Sequence, residues 1–423
     1  MSRAAEILVP ARLGTGFRWL LASSWSTNLG DGVAAAAGPL LVASLTHDPF
    51  LISLAAMMRW APPLAFGLYA GVLADRRDRR RVVIAANLVR AVVLSGLTIA
   101  LVTGTVSVTG ALVALGLLAT AEVFADNTVT TLTPMLVHRD DLATANSRLQ
   151  TGFITLNQLL GPSIGAVLFA AGVVWPFATE LVLVTAGVIL VSRVALPAHG
   201  RDRSKVRNGV RRDIAEGFRW VVHNPAVRTL VLTILIFNLT FGAAWSVLVL
   251  YATQRLSLGA IGFGLLTTVS AVGGLLGTGI YGWLTRRVSL GNVMRAGLII
   301  ETLTHGALAV TTSAWVAMLI FFVFGAHAFV WHTTSITVRQ RAVPTHLQGR
   351  VTSVNTICVY GGLVIGSAAG GSLATHYGVT APFWFAFAGS AIFVVMLWRQ
   401  LTHIIHTDEQ SRGAQVTPDR QPV

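Results

Sequence analysis

The sequence predicts an all-α integral membrane protein with twelve transmembrane helices in two similar six-helix halves and both termini in the cytoplasm. Three observations carry that prediction. Of 423 residues, 54% are hydrophobic and only 11% charged, against about 25% charged in a soluble domain, and the mean hydropathy is +0.68. The basic residues gather in every second polar break. A set of glycine, asparagine and leucine positions also recurs about 210 residues further on.

The spans follow from length. Crossing the hydrocarbon takes roughly 20 apolar residues, and backbone groups in lipid must be bonded within their own segment, so each apolar run reads as a helix. The runs are 18–43, 50–73, 82–102, 109–134, 149–171, 175–196, 227–252, 260–283, 293–312, 315–338, 351–373 and 381–401. Orientation follows from arginine, because Arg-rich loops stay in the cytoplasm. The break after span 2 holds five arginines in the six residues Arg76 to Arg81. Later breaks after even-numbered spans hold Arg139 and Arg148, Arg286 and Arg287, and Arg341 and Arg350. Breaks after odd-numbered spans hold essentially Arg255 alone. The expected organisation is a cytoplasmic segment 1–17, a first bundle 18–196, a basic cytoplasmic linker 197–226 read as a solvated loop, a second bundle 227–401, and a polar tail 402–423 expected to be disordered.

Composition also excludes. The net charge of +14 is nearly all arginine, Lys205 being the sole lysine, and it sits between spans, so topology explains it and no nucleic-acid partner is expected. One cysteine, Cys358, leaves no intrachain disulfide, and no metal site is expected. Arg3, Arg12 and Arg18 precede a span too long for a signal-peptide core, so no cleavable leader is expected. No phosphate-binding Gly-x-x-x-x-Gly-Lys loop, Gly-x-Ser-x-Gly elbow or His-Glu-x-x-His site appears, so neither an enzyme nor a cofactor is expected.

The internal repeat supplies the architecture. Asn28-Leu-x-x-Gly32 recurs as Asn238-Leu-x-x-Gly242, and Gly71-x-Leu-x-x-Arg76 recurs as Gly282-x-Leu-x-x-Arg287. Leu142, Gly161 and Gly165 recur as Leu347, Gly366 and Gly370. Six spans are thus read as duplicated, and repeats related about an axis normal to the membrane are a transporter architecture with its site at the repeat interface.

At this point the chain resembles the major facilitator superfamily. Gly71-Val-Leu-Ala-Asp75-Arg-Arg-Asp-Arg79-Arg fits the superfamily's loop 2–3 motif, with Asp78 in place of its glycine. Gly161-Pro162-Ser-Ile-Gly165-Ala is similar to the helix-5 motif of its drug–proton antiporters, with Ala166 for the last glycine. Asn28-Leu-Gly-Asp31-Gly, Glu122-Val-Phe-Ala-Asp126-Asn, Leu142-Ala-Thr-Ala-Asn146-Ser and Leu347-Gln-Gly-Arg350-Val resemble the branch of the enterobactin exporter and the macrolide efflux proteins. The resemblance implies the major facilitator fold, a monomer, a cavity lined by helices 1, 4, 7 and 10, and a gating motif formed by Gly71, Asp75, Arg76 and Arg79 with Asp126 of helix 4.

Charged side chains inside spans are the functional flags, since each costs on the order of 3 kcal/mol at the bilayer centre. Asp31 lies near the middle of span 1 with Asn28 on its face, and the repeat replaces it by Phe241, so the duplicated scaffold does not need it. It reads either as a proton carrier, because burial disfavours a charged carboxyl, or as the fixed ion-pair partner of Arg59, which counts to a similar depth in span 2. Glu122 is the second proton-coupling candidate. It maps onto His327 of span 10 under the 205-residue shift, so the two are expected to face each other across the pseudo-twofold axis. Asn28, Asn238, Phe241, Trp245, His327 and Trp331 are the cavity candidates, read against the alternative that aromatic stripes only pack. Glu301 and His305 read as a local structural pair on span 9.

The expected function is proton-coupled export of a small amphipathic molecule, a drug, macrolide or siderophore-like metabolite, across the bacterial cytoplasmic membrane. The small-molecule cargo, the lipid bilayer and the coupling proton are then the expected partners. A lysolipid flippase on the same fold and a non-transporting membrane sensor are the alternatives.

Overall fold

The computed structural model describes residues 11–195 and 210–398. Residues 1–10 of the expected N-terminal segment, most of the first half of the linker (197–209) and the tail 402–423 lie outside the described residues. Every described element is helical, as hydrocarbon demands of a chain this apolar.

Among the described residues, eleven helices are long and apolar enough to cross a membrane. They are α1 (Gly14–Leu45), α2 (Pro49–Arg76), α3 (Arg79–Val102), α4 (Val108–Leu136), α5 (Arg139–Ala171), α6 (Val174–Ser192), α8 (Pro225–Trp245), α9 (Ala260–Arg287), α10 (Leu290–Val310), α11 (Ala314–Ala342) and α12 (Thr345–Tyr377). Two shorter helices are α7 (Val210–His223) and α13 (Ala381–Leu397), and brief helical turns lie at Ala11–Leu13, Leu248–Leu250 and Tyr251–Arg255. The last expected span thus appears as a helix of 17 residues, about 25 Å long.

The outer surface carries large apolar side chains, and the interior, itself mainly apolar, also holds ionisable groups. Val92, Leu319 and Val395 are 72%, 64% and 77% exposed, while Asp31, Arg90, Glu180 and His305 are buried. Apolar side chains outside and ionisable ones inside are what a lipid solvent selects.

Turn chemistry sets the helix ends. Asp48 caps α2 through Phe50 N (2.9 Å) with Pro49 in the first turn, and Ser107 caps α4 through Gly110 N (3.0 Å). Asp78, the departure from the loop 2–3 motif, is the N-cap of α3, its Oδ1 accepting from Arg81 N at 3.2 Å. The carboxylate therefore answers an open backbone N–H that a glycine would leave unbonded. In α5 the turns over Phe153–Leu160 widen to π-helical form, with Gly161 N–H bonded back to Leu156 O. That widening precedes Pro162, which lacks an N–H and would crowd a regular turn.

The chain divides into two compact units, residues 1–206 with 246–268 and residues 207–245 with 269–423. In the first, α1 crosses α5 at glycines: a Cβ on Gly161 would lie 2.5 Å from Gly32 Cα, and one on Gly32 would lie 2.5 Å from Asn157 O. Thr268 is bound to α5 through Leu159 O (3.4 Å) and through a hydroxyl pair with Ser163. In the second unit α8 crosses α12 in the same manner, a Cβ on Gly242 lying 2.7 Å from Leu363 O and one on Gly362 lying 2.6 Å from Leu235 O. Gly32 and Gly242 are repeat-related, so the duplication visible in sequence is a duplicated backbone-to-backbone crossing.

The second half of the expected solvated linker is helix α7. Val221 and the partly buried Trp220 pack against Val343, Leu347, Val351 and Val354, Gly217 lies against the Arg350 backbone, and Glu216 pairs with Arg350 Nη1 at 2.6 Å. Ile214, Gly217 and Val221 fall on one helical face at i, i+3 and i+7, which anchors a segment whose arginine content reads as loop.

Candidate functional site

The geometry around Asp31 is set by how α1 meets α6. Gly30 lets α6 approach, a Cβ there lying 3.2 Å from Glu180 Cγ. Ser26 Oγ donates to Leu183 O (2.7 Å) and Ser23 Oγ to Gly187 O (2.8 Å), which locks the two helices in register. Glu180 is thereby brought level with Asp31. Between them enters the guanidinium of Arg90 from α3, which donates through Nη2 to Asp31 Oδ1 and to Glu180 Oε1, the latter at 3.2 Å. Asn87, one turn back on α3, accepts from Arg90 Nη1 at 3.4 Å. Arg90 and Glu180 are each 1% exposed and Asp31 6%.

Asp31 is therefore paired with Arg90 and not with Arg59, which corrects the expectation. Counting residues from a helix end gives depth but not azimuth. Arg59 is exposed, with its guanidinium 5.4 Å from the centre of the Trp60 ring. Arg90 and Glu180 are the residues that sequence reasoning passed over. The signal was present, because each is an ionisable residue inside an apolar run.

Charge counting shows what the triad can do. One guanidinium faces two carboxyl groups, so the triad carries one excess negative charge with both acids ionised and none with one proton bound. Unbalanced charge in a water-poor interior costs several kcal/mol per ion. Glu122 and Asp126 of α4 lie within electrostatic reach of Arg90. Glu122 is half-buried and makes no hydrogen bond or ion pair among the described residues.

At the end of α4 near Met135, Arg79 donates to Ala74 O (3.2 Å), Thr131 O (3.3 Å) and Met135 Sδ (2.9 Å). Arg79, the arginine of the expected gating motif, thus grips the last turns of α4 through backbone and sulfur, and these described bonds bypass Asp126. Gly71 has open space where a Cβ would stand, and Arg76 is exposed. Gly161, Pro162 and Gly165 are all buried on the α1 crossing, one residue along from Asp31.

In the second unit Asn238 Nδ2 donates to Ile234 O (2.7 Å), as Asn28 Nδ2 does to Ser24 O (2.8 Å) in the first, so both asparagines bond within their own helix. Phe241 stacks on Trp245 with centroids 4.3 Å apart, and Phe324 lies 4.6 Å from Trp245. Trp331 packs with Phe237, Met294 and Leu298. The expected Glu301–His305 pair is not formed. Glu301 Oε2 lies 3.9 Å from His327 Nε2 instead, and His305 stands edge-on to Trp245.

The model of the transmembrane secretion effector family matches residues 7–421. The chain belongs to this family of the major facilitator superfamily. Among its major facilitator relatives, the multidrug efflux pump Tap of Mycolicibacterium fortuitum is 29% identical over 389 residues, covering 86% of this chain and 90% of that protein. The enterobactin exporter EntS of Salmonella typhimurium is 25% identical over 391 residues, covering 88% and 89%. Among solved structures, a bacterial homologue of the iron transporter ferroportin superposes with a TM-score of 0.72 at 16% identity, covering 91% of this chain and 98% of that one. The nucleoside transporter NupG superposes with a TM-score of 0.70 at 12% identity, covering 93% and 99%. These two likenesses speak for the fold alone. The relatives are transporters, and the chain is a multi-pass major facilitator protein whose relatives export small molecules.

Proposed function

We propose that the protein is a proton-coupled exporter of small amphipathic molecules in the bacterial cytoplasmic membrane. It would have twelve transmembrane helices, with α13 as the last, and both termini in the cytoplasm. The observation that carries this reading is the buried triad of Asp31, Arg90 and Glu180, in a chain whose relatives are an efflux pump and an exporter. The cargo class comes from those relatives, and the coupling ion comes from the charge count.

The triad's three groups stand on three helices, α1, α3 and α6, that cross at small residues and hydroxyls. With one acid protonated, Arg90 keeps a single ionised partner and the site is neutral. Loss of that proton leaves two carboxylates competing for one guanidinium, a state that favours movement of the helices or entry of a counter-charge. Glu122, unpaired and within charge reach, is the path by which the proton or a cationic cargo approaches. Alternating access is the transport cycle that this reading implies. A proton entering down a potential of 100 mV supplies about 2.3 kcal/mol, which supports roughly a 50-fold gradient of neutral cargo.

The test is proton movement in energised everted vesicles, followed with a pH-sensitive dye while lipophilic cations, macrolides and siderophores are added in turn. Dye recovery with one compound class, lost in Asp31→Asn and in Glu180→Gln, supports the reading. Undiminished uphill efflux of that compound by both variants rejects it.

A further inference from the structure

A second cluster of titratable side chains is buried in the unit of residues 207–245 and 269–423, and the scheme above makes no use of it. Helix α10 supplies Glu301 and His305, one turn apart, and α11 supplies His327. The Glu301 and His327 side chains are 13% and 5% exposed, and His305 is fully buried. Neither ring nitrogen of His305 or of His327 has a hydrogen-bond partner among the described residues. The remaining wall is aromatic: His305 stands edge-on to Trp245 at 5.9 Å, and His327 edge-on to Phe324 at 5.4 Å.

Among the described residues no arginine offsets Glu301. On α10 itself Arg295 is turned to Trp398, donating to its carbonyl at 3.3 Å. Helix α13, packed on α10, carries no titratable residue. Helix α8 has Arg228 alone, bound to Val222 O near its first turn, at the far end from Trp245. On α11, His332 is exposed and Arg339 and Arg341 lie in or near the last turn. Helix α9, whose glycines meet α11, carries Tyr281 and, in its last turn, Arg286 and Arg287. Among the titratable groups of the described residues, Glu301 thus faces imidazole. A carboxyl and an imidazole form a neutral pair when they hold one proton between them, either as acid and neutral ring or as carboxylate and imidazolium. With no proton bound the pair is negative, and with two it is positive.

We propose that Glu301, His305 and His327 form a second proton-exchanging centre, so that each half of the protein holds one proton in its neutral state. Either Glu301 or His327 holds that proton, and its passage between Glu301 Oε2 and His327 Nε2, 3.9 Å apart, takes place when the two side chains close to hydrogen-bond distance, with no change in net charge. His305, close enough to His327 for their charges to interact, is the next group the proton reaches. The edge contact with Trp245 then couples the charge of His305 to the aromatic stack. The role of this centre in transport rests on the proton-coupled reading above, but its chemistry does not.

The experiment is infrared titration of the full-length protein in lipid nanodiscs, between acid and alkaline pH, following the carbonyl stretch of protonated carboxyl groups. Wild-type protein is expected to show a component that is absent in Glu301→Gln and retained in Asp31→Asn. His327→Gln, which keeps a polar side chain, is expected to move the midpoint of that component by about one pH unit or more. His305→Phe should leave the component in place and slow its exchange. A Glu301→Gln titration that superimposes on wild type overturns the proposal, as does a His327→Gln midpoint equal to wild type. If the Glu301 component is found while Asp31→Asn and Glu180→Gln change neither the spectrum nor efflux, the second centre stands and the coupling role given to the triad fails.

Discussion

Removing Arg90 tests the triad most directly. In Arg90→Met two buried carboxyl groups lose their common donor. The Glu180 contact at 3.2 Å corresponds to an attraction of about 5 kcal/mol at an effective dielectric near 20, with a comparable term for Asp31, and desolvation of the three ions offsets most of it. The net loss expected for breaking a buried pair from one side is about 3–5 kcal/mol. Neutralising the acids as well should return most of this. The triple variant Arg90→Met, Asp31→Asn, Glu180→Gln carries no net charge, and it is expected within about 2 kcal/mol of wild type, because a buried ion cluster and a neutral one of like volume differ little. Glu180→Gln alone leaves Asp31 and Arg90 balanced without any proton, so it should fold as well as wild type and yet lose proton coupling. Reversible unfolding in mixed micelles measures all three. If Arg90→Met matches wild type, or if the triple variant is no more stable than Arg90→Met, the charge-balance argument is wrong.

Packing and gate predictions follow from the same contacts. Gly32→Val should cost about 1–3 kcal/mol or more, because its Cβ would lie 2.5 Å from Asn157 O; lowered yield and melting temperature would show it. Gly71→Ala, with open space at that site, should melt within a degree or two of wild type although it alters the loop 2–3 motif. Arg79→Gln loses the bonds to Thr131 O and Met135 Sδ, so transport rate should fall while stability changes by less than about 1 kcal/mol, read from efflux kinetics beside a melting curve. For α7, Glu216→Gln should change stability by no more than about 1 kcal/mol because that pair is solvent-exposed, whereas Gly217→Val should undock the helix, since its Cβ would meet Arg350 O at 2.6 Å; proteolysis between Val210 and His223 distinguishes the two.

Much of this was legible in the residues. The apolar runs become helices because lipid leaves no other way to satisfy the backbone, and the repeat-related Gly32 and Gly242 both stand at close crossings, as does Gly161, whereas the repeat-related Gly71 and Gly282 do not. What stayed hidden was azimuth. Asp31 and Arg59 count to one depth, but the Arg59 guanidinium stands over the Trp60 ring, and the ion-pair partner comes from α3. Arg90 and Glu180 gain their meaning only when three helices are brought together by Gly30, Ser23 and Ser26. The α10 pair failed for a similar reason. Glu301 and His305 share a face by spacing, yet the carboxyl finds His327 on the neighbouring helix at 3.9 Å. Helix α7 was missed because arginine content dominates its reading, although Ile214, Gly217 and Val221 keep helical spacing.

Duplication and divergence together say what the charges are for. The glycine crossings persist in both halves, α1 with α5 and α8 with α12, so packing is what the scaffold requires. The ionisable residues do not persist. Asp31 corresponds to Phe241 and Glu122 to His327, and each unit reaches electrical balance by a different route, an arginine between two acids in one and an imidazole beside a single acid in the other. A fold that stands without a given charge in one half does not need it for folding in the other. Each ionisable residue costs on the order of 3 kcal/mol to insert, a cost that the proposed proton coupling would account for. The halves differ in what their cations can do: Arg90 keeps its charge throughout and can only change partners, while His327 can gain or lose one. The triad, in which Asp31 or Glu180 can take up a proton while Arg90 keeps its charge, therefore suits coupling of a proton to a switch in helix contacts, and the imidazole site suits passage of a proton within its own half.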